Sequence, residues 1–149
     1  MKSSSDKVVF WCLIGVQAAC SQFIIWNGVP VYNQLLSDIR TGASAKQIEL
    51  ALSAAVIMQV GYWLAFRLKQ QLHFRRHVLL GHVLIWIGEL SLFFIAALAT
   101  ILLFQCIETV KFEIWKFFVL AVVLFAVACY KHMLMSLGDE LIKGEREIT

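Results

Sequence analysis

Apolar residues gather into four long runs, at about 8–26, 48–66, 78–104 and 114–135, separated by short polar or basic stretches. A helix rises 1.5 Å per residue, so about 20 residues cross a hydrocarbon core of about 30 Å. Each run therefore predicts a transmembrane helix. The third is about 27 residues long, which predicts tilt or protrusion from the bilayer. Between the first two runs lie Gly28, Pro30 and Gly42, residues that break helices, so a loop is expected from Asn27 to about Ser44. Val31, Leu35, Leu36 and Ile39 recur there at helical spacing and predict a short amphipathic helix lying at the interface. The stretch Ser44 to Gln47, "SAKQ", has the form of a capping box that starts the second span. The stretch "QCIETVKFE" between the last two runs is short and forces spans 3 and 4 to be antiparallel neighbours.

Composition agrees with this pattern. The chain has 149 residues, 60% of them hydrophobic, against about 45–50% in soluble domains. Its mean hydropathy is +0.78. Four spans use most of the length, which predicts a single transmembrane domain over 1–149, all-α, a polytopic four-helix bundle. The net charge of +3 is small, and the basic residues sit at the ends of apolar runs, which argues against nucleic acid as a partner. Nine Lys and Arg lie on one side (Lys2, Lys7, Arg67, Lys69, Arg75, Arg76, Lys131, Lys143 and Arg146) and four on the other (Arg40, Lys46, Lys111 and Lys116). The positive-inside rule then places both termini and the 2–3 connection in the cytoplasm. The expected location is a bacterial inner membrane, with its lipids as constant neighbours.

None of the four cysteines forms a CxxC pair, so neither zinc nor a redox couple is expected. The stretch ending in Ala18-Ala19-Cys20 has the look of a lipoprotein cleavage site. However, Gln17 stands three residues before the cysteine, where an aliphatic residue belongs, and apolar sequence continues to Trp26. An uncleaved anchor is expected.

Polar residues inside the spans carry the candidate chemistry. Gln17, Gln59 and Glu89 lie near the middles of spans 1, 2 and 3, where they can converge in the bundle interior. An ionised carboxylate in hydrocarbon costs roughly 2.5–3.5 kcal/mol on insertion scales, so Glu89 needs protonation or a partner. The apolar Phe125 and Ala126 of span 4 fall at that level, and the expected partners are the two amides or a group on another protein. His82 precedes Glu89 by seven residues, and Gly81 and Gly88 repeat at the same interval. Residues seven apart share a helix face, so these four read as one stripe of small and polar groups open to close helix approach. Gly15 and Ala19 make a related pattern in span 1, so spans 1 and 3 are expected to present close-packing faces. Arg67, Lys69, Arg75 and Arg76 form a basic cytoplasmic connection suited to anionic headgroups or a protein contact.

No catalytic set and no glycine-rich phosphate loop is present in this pattern, and no cofactor or metal is expected. The expected function is non-enzymatic: contact, through intramembrane helices, with another integral membrane protein or a second copy, as in accessory, immunity or exclusion proteins. Two alternatives use the same residues differently. One is a small proton-coupled transporter with Glu89 as the coupling group. The other is a b-type haem subunit, with His82 and His132 as ligands from spans 3 and 4.

Overall fold

A computed structural model of the chain describes residues 2–36, 44–72, 74–108 and 114–143. Among these residues the structure is helical throughout its ordered elements, with four helices and no strand: α1 (Lys2–Leu36), α2 (Ala45–Lys69), α3 (Val78–Glu108) and α4 (Ile114–Lys143). Each is long and apolar enough to cross a membrane. The chain is an all-α, four-helix integral membrane protein.

Pairwise contacts set the register. Gln17 of α1 lies against Gly61 of α2, and the Asn27 amide donates to the Gln47 carbonyl at 2.9 Å, so α1 and α2 run antiparallel. Gly81 meets Gly138, and Gly88 meets Leu134, which makes α3 and α4 antiparallel. Lys69 of α2 reaches Glu140 of α4 at 3.0 Å, so those two helices run parallel. The ring order is α1–α2–α4–α3, each helix packing on two neighbours. The described beginning of α1, the connection from α2 to α3 and the end of α4 all lie at one end of the bundle, hereafter the basic end. The core follows the helical repeat. On α1 the buried residues are Phe10, Ile14, Gln17, Ser21, Ile24 and Gly28, spaced alternately four and three, the pattern of a helix packed in a bundle.

Helix bounds depart from the sequence reading in two places. First, α1 does not stop at Trp26. It continues through Gly28 and Pro30 to Leu36, so Val31, Leu35 and Leu36 extend the first helix rather than forming a separate one; Ile39 lies outside the described residues. Proline removes one backbone donor, a loss that membrane helices tolerate when neighbours re-satisfy nearby groups. Here the Asn27–Gln47 bond ties that turn of α1 to α2. Gly28 has its own reason: a Cβ there would stand 2.5 Å from Leu98 Cδ2, so its absence lets α3 approach. Second, α4 runs to Lys143 instead of ending near Met135. Its last turns are buried at Leu137, Gly138 and Leu141, and the His77 amide donates to the Leu141 carbonyl at 3.0 Å, docking the basic connection onto them.

The capping box at α2 forms as expected. The Gln47 amide donates to Ser44 Oγ at 3.3 Å, and the Ser44 amide donates to Gln47 Oε1 at 2.8 Å.

Candidate functional site

The stripe that reads as one face of α3 divides between two faces. Gly81 and Gly88 point inward onto α4; His82 and Glu89, one residue later and about 100° around the helix, point outward. At Gly81 an added Cβ would meet the Gly138 carbonyl oxygen at 2.7 Å, and at Gly138 it would meet the Gly81 carbonyl oxygen at 2.7 Å. The two backbones touch, so the glycines serve a contact within the chain and are closed to another protein. The expected close face of α1 also moves. Gly15 has no neighbour within 4 Å and Ala19 is exposed, and the close approach of α1 to α3 occurs at Gly28 instead.

This glycine contact positions the charged pair. Gly88 brings the Lys131 Cα to within 3.6 Å of where a Cβ would stand. Glu89, the next residue, therefore lies alongside the Lys131 side chain, and its Oε1 accepts from Lys131 Nζ at 2.9 Å. Lys131 is thus the partner that the sequence reading placed among the cytoplasmic anchors. Glu89 is 11 residues into α3, about 16 Å from its first residue at 1.5 Å rise, and Lys131 lies at the same level within the 30-residue α4. One signal could have revealed the pairing. Once Gly81 is matched with Gly138, antiparallel counting brings Glu89 level with Tyr130 and Lys131. Gly138 lies beyond the expected end of span 4, within the last turns of α4.

The pair is not in the interior. The Glu89 side chain is 50% exposed and that of Lys131 23%. It belongs to an outward stripe of α3 that runs Leu79, His82, Trp86, Glu89, Phe93, Ala96, Thr100, at intervals of three and four residues, all exposed. Trp86 and Phe93, one turn to either side of the carboxylate, are 66% and 68% exposed. The Thr100 hydroxyl satisfies itself by donating to the Ala96 carbonyl at 2.9 Å.

The other expected site residues fall elsewhere. Gln17 is fully buried, packed on Gly61, and its amide nitrogen donates to the Leu13 carbonyl at 3.2 Å. Gln59 is half-buried on α2, and its side-chain Oε1 has no hydrogen-bond partner. Both lie at the depth of Glu89, but neither converges on it, because the carboxylate is on the far flank of the α3–α4 pair. In the basic connection, Arg67, Arg75 and Arg76 are exposed. Lys69 is committed to the fold through Glu140 and Ser136. His82 and His132 are both exposed, and the space a haem would need between their helices is filled by Gly138, Ile142 and Leu134 against the glycines. Among the described residues, no group of three His, Cys, Asp or Glu side chains is placed to hold a metal ion.

No protein-family model, no curated protein and no solved structure matches this chain.

Proposed function

We propose that this protein works by non-enzymatic contact, docking the outward stripe of α3 against a transmembrane helix of another membrane protein. The observation that carries this reading is the Glu89–Lys131 pair, half-exposed on the flank of the bundle between Trp86 and Phe93. Apolar side chains facing outward are ordinary in a bilayer. A carboxylate there is costly, and polar groups at depth in general mark functional contacts. Lys131 neutralises Glu89 but leaves both groups with unmet hydrogen-bonding capacity on the lipid side. A helix carrying a serine, threonine, asparagine or glutamine at the same level would meet it and shield the pair from hydrocarbon. Flanking aromatics suit such a contact, since Trp is enriched where interfaces hold most of their energy. The exposed Arg67, Arg75 and Arg76 at the basic end add an electrostatic contact to anionic headgroups. With that end facing the cytoplasm of a bacterial inner membrane, the stripe is presented within the bilayer itself.

Transport through Glu89 draws less support. The carboxylate is neutralised by a lysine on an outer flank and has no access to the bundle interior.

The test is co-purification from native membranes in mild detergent. The tagged wild type should bring down one membrane protein in stoichiometric amount, and the charge-neutral Glu89→Leu/Lys131→Met variant should lose it while still inserting. A photocrosslinker at Trp86 should capture the same protein; one at Val56, exposed on α2, should not. Retention of the partner by the double variant would sink the proposal. A second copy of this chain as the captured species would make the contact homotypic.

A further inference from the structure

At the end opposite the basic one, the four helices leave a cavity of about 80 Å³ between them. Its walls run from Ile95 to Leu102 on α3 and from Lys116 to Val123 on α4, two turns of helix or about 10 Å at 1.5 Å rise. They are apolar, and the polar residues stand at the mouth: Asn27, Gln47 in the first turn of α2 and Lys116 in the first turn of α4. Asn27 and Gln47 engage each other. The side-chain amide of each donates to the backbone carbonyl of the other, at 2.9 and 3.5 Å. The Lys116 ammonium stands 5.9 Å from the centre of the exposed Trp115 ring. That is the arrangement of a lysine that lays its stem along apolar surface and keeps its charge toward the headgroups.

The cavity opens to one side. Because α2 and α4 run parallel with Lys69 level with Ser136 and Glu140, the same offset sets Gln47 level with Lys116 and Ala51 with Leu120. All four line the cavity and are partly exposed. Deeper in the bundle, Ala55, Met58, Val123 and Val127 are buried and close the floor. On the side of α1 and α3, the walls at Ile24, Gly28, Leu98 and Ala99 are buried as well. What remains is a short slot between α2 and α4 that faces hydrocarbon.

Three kinds of occupant can be compared. Water finds no partners on these walls, and apolar cavities stay dry: one of about 150 Å³ takes benzene instead. A helix, about 10–12 Å across, is too wide for the slot. A single hydrocarbon chain is narrow enough, is the most abundant neighbour in a bilayer, and restores the dispersion contacts that an empty slot forfeits. A phospholipid also brings a phosphate, and Trp115 and Lys116 lie at the span end where headgroups stand. We infer that this slot is a phospholipid site. One acyl chain of a lipid in the far leaflet lies between α2 and α4 past Ala51 and Leu120, and its phosphate accepts from Lys116 Nζ.

Photolabelling tests this. The protein is placed in dioleoyl phosphatidylglycerol vesicles containing a phosphatidylglycerol with a diazirine in its acyl chain, illuminated, and its adducts are mapped by mass spectrometry. Ile95 and Val123 are buried cavity walls, out of reach of lipids that merely surround the bundle, while exposed Val56 on α2 reports those lipids. Wild type should carry adducts at Ile95 or Val123 as well as at Val56. Ala99→Phe, which fills the slot from α3, should abolish the buried adducts and leave Val56 labelled. Lys116→Gln should lower the buried adducts about threefold, the effect of losing one exposed charge pair. Wild-type labelling at Val56 with none at Ile95 or Val123 would overturn the inference, however the variants behave. Buried adducts that persist in Ala99→Phe, or that are undiminished in Lys116→Gln, would also overturn it, since the chain would then enter elsewhere or without its headgroup.

Discussion

The contact between Gly81 and Gly138 makes a quantitative prediction. Replacing Gly138 with alanine puts a methyl group 2.7 Å from the Gly81 carbonyl oxygen and 2.6 Å from Ile85 Cγ1, where ordinary contact begins near 3.4 Å. Ile85 can rotate; the carbonyl cannot, because it belongs to the α3 backbone. The only relief is for α3 and α4 to move apart along their most extensive contact. Overpacking of this kind costs roughly 1–3 kcal/mol. Gly81→Ala meets the Gly138 carbonyl at 2.7 Å and should cost a similar amount. The two together should cost less than the sum, since the first already separates the helices. Three glycines serve as controls. Gly15 has nothing within 4 Å, and Gly88 would gain only ordinary contacts with Leu134, so alanine at either should fall within about 0.5 kcal/mol of wild type. Gly28→Ala clashes with the free end of the Leu98 side chain, which lines the cavity and can turn into it. Its cost should be intermediate. Reversible unfolding in mixed micelles, titrated with denaturing detergent, measures the five single variants and the double. Equal stability of Gly138→Ala and Gly15→Ala would refute the close approach of α3 and α4, and with it the register that sets Glu89 beside Lys131.

Two further outcomes follow from the ion pairs. Lys131→Met leaves Glu89 without its cation and should destabilise by about 2–3 kcal/mol, near the insertion cost of a lone carboxylate; Glu89→Leu/Lys131→Met should recover most of that loss, and additivity of the single changes in a double-mutant cycle would show that the pair is not coupled. At the basic end, Lys69→Met removes the bonds to Glu140 and Ser136 and should cost about 1 kcal/mol, reduced by high salt because the Glu140 side chain is half-exposed. Salt-independent behaviour of wild type and variant would argue that the bridge contributes nothing.

Much of the architecture is legible from residue order alone. Four apolar runs of bilayer length predict four helices, the short connection after α3 pairs it with α4, and Ser44 with Gln47 announces the start of α2. The shared depth of Gln17, Gln59 and Glu89 is legible too, because axial position follows from counting at 1.5 Å per residue. Bounds were less so. Gly28 and Pro30 look like breakers, yet inside a bundle the first is a docking notch for Leu98 and the second is absorbed by a helix held to α2 through Asn27. The last turns of α4 look like a charged tail until Leu137, Gly138 and Leu141 are seen buried against the basic connection.

What the sequence by itself determined is the number, depth and alternating direction of the helices, since hydrocarbon admits only segments that satisfy their own backbone and are apolar along their length. What only the tertiary structure decided is how each helix is rotated. In water, the polar face of a helix tells which side is out. In a bilayer the lipid side and the protein side are equally apolar, so α3 carries no hydropathic mark separating Gly81 and Gly88 from His82 and Glu89. That choice was made by backbone contact at Gly81 and Gly138, and it turned the carboxylate outward, beside Lys131 at the same level of α4.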